Sequence, residues 1–163
     1  MKKKYLIAAL LAAILLLSLF ACNKTDDPQK TEKITLDLSA YKVVRPEKAS
    51  ARLRTAAIEV RRSLYAFNAD AAIEEDWLPP DTAPDDAAYE ILIGATNRPQ
   101  SAEALNAAGE NGSAQYVIAV IGNKIVINGT NEDAVILGAE YFINSIIPTA
   151  AEGGKLELDA GYR

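Results

Sequence analysis

Apolar and polar positions alternate along this chain with two distinct periods, and each stretch of regular period predicts an element. Ile34-Thr35-Leu36-Asp37-Leu38 has the period of two of a half-buried strand, and Tyr41 to Val44 extends it past a break at Ser39. Pro46 offers a fixed φ suited to a first helical turn. Leu53, Ala56, Val60, Leu64 and Phe67 then recur at helical spacing, with Ala57 and Ile58 widening the stripe. A short strand is expected around residues 71–73. Residues 77–86 hold three prolines and three aspartates and read as a surface loop.

Further along, Tyr89-Glu90-Ile91-Leu92-Ile93-Gly94 is dense in β-branched residues and predicts a strand from which Gly94 turns the chain out. Thr96-Asn97-Arg98-Pro99 is a turn, after which Pro99 opens a helix whose apolar face is Ala102, Leu105 and Ala108, ended by Gly109 and Gly112. Residues 115–121 and 124–128 are two strands separated by Gly122-Asn123, a pair suited to a tight hairpin. The first of them is apolar on both faces and is expected at the centre of the sheet. Thr130 and Asp133 have capping-box spacing at the start of a last helix that buries Ala134, Leu137, Gly138, Tyr141, Phe142 and Ile146. Residues 155–158 suit a final edge strand. The order β-α-β-β-α-β-β-α-β predicts an α+β domain over residues 34–163, a mixed β-sheet with helices packed on it.

The first 21 residues have a different character. Lys2, Lys3 and Lys4 precede an unbroken apolar run from Leu6 to Leu17, and the run closes on Leu19, Phe20, Ala21 and Cys22. A basic start, an apolar middle and small residues before a cut describe a secretory signal peptide. An uncleaved membrane helix is the competing reading, because residues 5–21 nearly reach spanning length. Leu19, Phe20, Ala21 and Cys22 together resemble the lipobox of bacterial lipoproteins. That resemblance implies cleavage before Cys22, diacylglycerol on its thiol and palmitate-type acylation, with the domain held at the extracytoplasmic face of the cell membrane. Residues 22–33 lack apolar side chains able to order them and are expected to form a flexible tether, reaching roughly 35 Å at about 3.3 Å per residue.

Losing Lys2, Lys3 and Lys4 takes the formal net charge from −5 to −8. An acidic domain is a poor partner for phosphate backbones, so no nucleic acid partner is expected. The chain has no histidine and a single cysteine, which removes the commonest general base, the commonest metal ligand and any internal disulfide. No phosphate loop, dinucleotide fingerprint or nucleophile elbow is present, and no metal or other cofactor is expected. Glu74/Glu75/Asp76, Asp85/Asp86 and Glu132/Asp133 are the carboxylate clusters, none of them a convincing catalytic pair. No catalytic residues, and no enzymatic activity, are therefore expected.

Three residues remain as candidates for ligand binding. Trp77, beside Glu74, Glu75 and Asp76, suits a sugar-stacking platform, or else a loop anchor plugged into the core edge. Asn97 and Arg98 suit bidentate reading of a carboxylate such as that of a uronic or sialic acid, or else Arg98 clamps the loop to the sheet or to a neighbouring domain. The arginines Arg52, Arg54, Arg61 and Arg62 form an anion patch or, more simply, a solvated helix face in which Glu59 pairs with Arg62.

Residues 89–94 with 96–99, the hairpin from Tyr116 to Ile127, and Gly129 with the helix through Gly138, Tyr141 and Phe142 resemble the non-catalytic N-terminal domain of β-N-acetylhexosaminidases and α-glucuronidases, and related clostridial-type surface lipoproteins. The resemblance spans about residues 34–158 and implies a domain that packs on a catalytic barrel and does no chemistry itself. With nothing following Arg163 in this chain, glycosidase activity is not expected to accompany the fold. The expected function is a lipid-anchored, carbohydrate-related binding or docking module with a glycan or an enzyme as partner. The alternatives are the N-terminal fragment of a larger surface glycosidase-like enzyme and a structural envelope lipoprotein without a ligand.

Overall fold

The computed structural model describes residues 33–110 and 115–159. The expected signal peptide, the lipobox residues Leu19, Phe20 and Ala21, Cys22 and the tether as far as residue 32 lie outside the described residues. Within them the chain runs β1 (Lys33–Asp37), β2 (Lys42–Arg45), α1 (Ala51–Ser63), β3 (Ile73–Glu75), β4 (Glu90–Ile93), α2 (Pro99–Glu110), β5 (Tyr116–Ile121), β6 (Lys124–Gly129), α3 (Glu132–Tyr141) and β7 (Lys155–Asp159). The class is α+β, with three helices and two sheets among the described residues.

The larger sheet has the order β3-β2-β4-β6-β5. The strands β3, β2, β4 and β6 are mutually parallel, and β5 returns antiparallel on β6. Parallel strands need covered crossovers, so both faces are buried and the inner strands are nearly all apolar. Ile91-Leu92-Ile93 and Ile125-Val126-Ile127 are accordingly inaccessible to solvent. Helices α1 and α3 cover one face, where Val43, Ile91, Ile93, Ile125 and Ile127 meet Leu53, Ala57, Val60, Val135 and Phe142. On the other face α2 covers Val44, Leu92, Val117 and Val126 through Ala104 and Ala108. Each fully buried aliphatic side chain contributes about 1.5–3 kcal/mol to this packing.

Several expectations shift at this level. The expected single sheet is two, because β7 pairs only with β1, from Lys33↔Asp159 to Asp37↔Lys155. The expected first strand is correspondingly divided, with β1 in one sheet and β2 in the other. The double-sided apolar strand β5 lies at the edge rather than the centre; α2 and α3 both reach it, so two covered faces did not require two neighbouring strands. The third strand begins at Ile73, two residues later than its apolar pattern suggested. Helix α1 begins at Ala51 with Ser50 as its cap, five residues beyond Pro46. In α3 the cap is Asn131, whose side chain accepts from the Ala134 N–H at 2.9 Å, rather than Thr130. Val135 and Ala139 take the buried positions, while Leu137 and Tyr141 are exposed. Helix α2 likewise buries Ser101, Ala104 and Ala108 rather than Ala102, because an alanine-rich sequence offers several faces small enough to approach a sheet.

Two glycines control how the helices enter. Gly94 has φ +77, a left-handed conformation that turns the chain away from β4. At Gly129 a Cβ would lie 2.7 Å from Ala134 Cβ and 2.9 Å from the Val135 backbone nitrogen. Only glycine allows α3 to start this close to the end of β6.

Candidate functional site

In open α/β sheets, ligands bind in the crevice beyond the carboxyl ends of the strands, where connecting loops splay apart. Here β2, β3 and β4 deliver Glu47, Asp76 and Asn97 to that edge, and Asp76 joins the three loops. Its Oδ1 accepts from the Glu47 N–H at 2.9 Å, and its Oδ2 accepts from the Asn97 N–H at 2.8 Å. Its own N–H donates to the Arg45 carbonyl at 2.8 Å. The Asp76 carbonyl accepts from Asn97 Nδ2 and, at 3.3 Å, from Arg98 Nη1. A short acidic side chain at the end of a strand can satisfy two separate backbone donors at once, which no apolar residue in that place can do.

Trp77 follows directly on this latch. It is 59% exposed, and its indole takes no hydrogen bond or ring contact among the described residues. A loop anchor would have buried the ring, and this ring is open to solvent instead. Asn97 is exposed beside it, its amide engaged with Asp76.

Arg98 is placed differently. Its guanidinium is buried and bidentate to Glu90, with Nε to Oε2 at 3.2 Å and Nη2 to Oε1 at 3.1 Å. Its Nη1 donates to Asn97 Oδ1 at 2.5 Å. The fork expected to face a ligand carboxylate is thus filled from within, and the geometry matches the clamp reading. Lys124, wholly buried, joins the same carboxylate at 3.1 Å and donates to the Asp85 and Ala88 carbonyls at 2.7 and 2.6 Å. Lys42 lies 3.7 Å from Glu90 and 2.7 Å from Glu74. Burial raises the Glu90 pKa, but the hydrogen bonds and charges of Arg98 and Lys124 outweigh it and hold the carboxyl below its ordinary value.

The register explains this cluster. Lys42, Glu90 and Lys124 are direct neighbours across β2, β4 and β6, on the face that α2 leaves partly to the loop after β3. That loop is tied down along its length: besides Lys124, Asn123 Nδ2 donates to the Ala87 carbonyl at 2.9 Å and Gln100 Nε2 to Asp86 at 3.2 Å. Glu90 and Lys124 escaped the sequence reading because charged residues inside strands are usually solvated. Their one signal was position, each directly preceding three consecutive apolar residues of its strand.

The carboxylate clusters are engaged elsewhere. Glu74 pairs with Lys42, Glu75 with Arg45 at 2.8 Å, and Asp133 with Arg52 at 2.7 Å. Arg62 pairs with Glu59 at 2.5 Å, as the solvated-face reading of α1 required, and Arg61 stacks on Tyr65 at 5.2 Å. No group of three or more potential metal ligands occurs among the described residues. A groove of about 300 Å³ lies between α1 and α3, floored by Ala56, Ile136 and Ala139 and rimmed by Arg52, Glu59 and Glu140. It lies on the face of the sheet opposite the charge cluster.

Comparison with known proteins gives a likeness of fold. No protein-family model matches the sequence, and no curated protein matches it. Among solved structures, the chain is similar to CpGH84D, a glycoside hydrolase family 84 protein, with a TM-score of 0.51 and 21% identity over 85% of this chain. This chain spans 23% of the length of that one, so the shared α+β fold is met there as one part of a much longer protein.

Proposed function

We propose that this chain is a non-catalytic carbohydrate-binding or docking module, anchored by lipid on Cys22 at the extracytoplasmic face of the membrane. The observation that carries the reading is the exposed Trp77 ring, which has no hydrogen bond or ring contact among the described residues and follows the Asp76 latch at the carboxyl edge of the parallel strands. Stacking on an aromatic face is how a flat sugar ring exchanges water for an apolar partner, and a fixed loop lowers the ordering cost of doing so. Glu47 and Asn97, whose backbone N–H groups Asp76 holds, lie on the loops beside it. Arg98 acts one step back, holding Asn97 and the Asp76 carbonyl in place. The fold shared with part of a glycoside hydrolase family 84 chain supports a carbohydrate-related setting.

The test is calorimetric titration of the full chain, in detergent, with a panel of neutral and acidic oligosaccharides. Trp77→Ala is expected to weaken binding at least tenfold while leaving Tm unchanged, since an exposed side chain contributes within about 0.5 kcal/mol to stability. A variant that binds as well as the wild type would remove the platform. For the anchor, Cys22→Ser is expected to release the protein from membranes or to leave an uncleaved precursor; normal cleavage with unchanged retention overturns it.

A second reading has one observation in its favour. The matched fold is only 23% of the CpGH84D chain, which fits this chain being the N-terminal part of a larger surface glycosidase-like enzyme. An immunoblot of the native product separates the two: a band near 17.5 kDa, or slightly below it after signal removal, supports the stand-alone module and a much larger one the enzyme.

A further inference from the structure

Helix α1 carries four arginines, and the structure treats them in two ways. Arg52 pairs with Asp133 at 2.7 Å and Arg62 with Glu59 at 2.5 Å. Arg54 and Arg61 have no such partner. Arg54 is exposed, and its guanidinium meets no carboxylate or other polar group among the described residues. Arg61 is partly exposed and stacks on the Tyr65 ring at 5.2 Å, with its Nε buried and unbonded.

Their spacing sets the two free guanidiniums on one stripe. Arg54, Ile58, Arg61 and Tyr65 follow at intervals of four, three and four residues, running from α1 into the turn Leu64–Ala66 that continues it. No carboxylate stands three or four residues from either arginine, whereas Glu59 stands three from Arg62. Ile58 is partly exposed and belongs to neither apolar cluster, and Tyr65 is 42% accessible. The chain has 22 acidic residues against 17 basic ones, so a stripe with two free guanidiniums and no carboxylate runs against its composition.

We infer that this stripe binds an acidic oligosaccharide, whose carboxylates meet Arg54 and Arg61 while its rings lie on Ile58 and Tyr65. The inference rests on the carbohydrate-related reading above but uses none of the Trp77 site. A guanidinium is a planar fork that gives a carboxylate two N–H groups at once. Glu90 already fills the fork of Arg98, whereas those of Arg54 and Arg61 are open. The stack on Tyr65 holds Arg61 in place and lowers the cost of ordering it around a ligand. Seven residues at a rise of about 1.5 Å set the two positions about 10 Å apart, so matching carboxylates belong to a chain of sugar rings rather than to one ring. Ile58 between the forks and Tyr65 beyond them suit the C–H faces of such rings. An anionic bilayer is the poorer occupant, because a chain of net charge −5 is repelled by that surface as a whole, while a short oligosaccharide meets only the stripe.

The test is calorimetric titration of the full chain, in detergent, with tetragalacturonate, which carries a carboxylate on every ring and so offers every spacing. Its methyl ester is the uncharged control. The wild type is expected to bind the acid at least tenfold more tightly than the ester. Arg54→Gln and Arg61→Gln are each expected to abolish that preference with native circular dichroism. Should Arg61→Gln disturb the fold, Arg54→Gln decides, because it changes only an exposed helix position that has no partner. Trp77→Ala should leave the preference intact, which separates failure of the platform from failure of the stripe. The inference is overturned if the wild type does not bind the acid or binds acid and ester alike. It is equally overturned if both glutamine variants keep the preference, if Trp77→Ala removes it, or if only phosphatidylglycerol vesicles are bound.

Discussion

The two faces of the large sheet are made of different materials. On the face under α1 and α3, Val43, Ile91, Ile93, Ile125 and Ile127 present nothing but hydrocarbon. On the other, an apolar strip at Val44, Leu92 and Val126 stops at a row of charge, Lys42–Glu90–Lys124, that Arg98 closes from above. The first face is held by burial, which has no direction and tolerates repacking. The second is held by hydrogen bonds that have direction, and it is the one that must keep a long irregular loop, with Trp77 at its start, in one place. Apolar contact alone would leave a proline- and aspartate-rich loop with little to bury. Buried charge gives it a single arrangement, at a cost in desolvation that the ion pairs offset.

This contrast can be broken from either side. The largest effect is expected from Glu90→Ala, which strands Arg98 and Lys124 without their carboxylate and should cost about 3–5 kcal/mol in urea unfolding, with the Trp77 emission altered before the global transition. Ile91→Ala, its neighbour on the opposite face, should cost about 2–5 kcal/mol but unfold in one step with Trp77 reporting nothing early. If both variants unfold alike, the two faces do not differ in what holds them. Asp76→Ala should cost about 1–3 kcal/mol, because the Glu47 and Asn97 amides lose their acceptor, and it should weaken any oligosaccharide binding that Trp77 supports.

The acid response sharpens the same comparison. Glu90 is held below its ordinary pKa, so its stabilisation is present in full above the ordinary glutamate range and is lost as the pH falls through the lower folded value. Circular dichroism followed from pH 7 to pH 2 should show that loss in the wild type and in Ile91→Ala, and Glu90→Gln should lack it. The smallest effect belongs to Asp37, whose pKa is lowered from 3.8 to about 2 by Lys155, across the β1–β7 pair, and by Ser39. Its contribution is present above pH 3.8 and lost toward pH 2. The pair is exposed and screened, so Asp37→Asn should move Tm only slightly, and less in high salt.

Much of the fold was legible because local patterns and tertiary demands agreed. The α1 stripe through Leu53, Ala56, Val60 and Leu64 is buried as its period required. The hairpin closes at Gly122-Asn123, with positive φ at Gly122. The third helix shows the opposite case. Leu137 and Tyr141 are apolar and helically spaced, yet exposed, since a helix resting on Gly138 against Tyr116 and Ile127 leaves them to solvent. Of the candidate residues, Asn97 and Arg98 bond to Asp76 and Trp77 follows it in the chain, but Asp76, which makes the latch, read only as one acid among several.

The sequence by itself determined the α+β class, the helices, the hairpin and the irregular loop, because these depend on residues near one another in the chain. Only the tertiary structure decided that β5 lies at an edge, that β7 leaves the main sheet for β1, and that Arg98 faces inward. Each of those depends on which residues distant in the chain become neighbours. Glu90 and Arg98 are the plainest instance: a carboxylate and a guanidinium take on a shared role only when a sheet register and a helix start bring them to 3.1 Å and exclude the water that would otherwise part them.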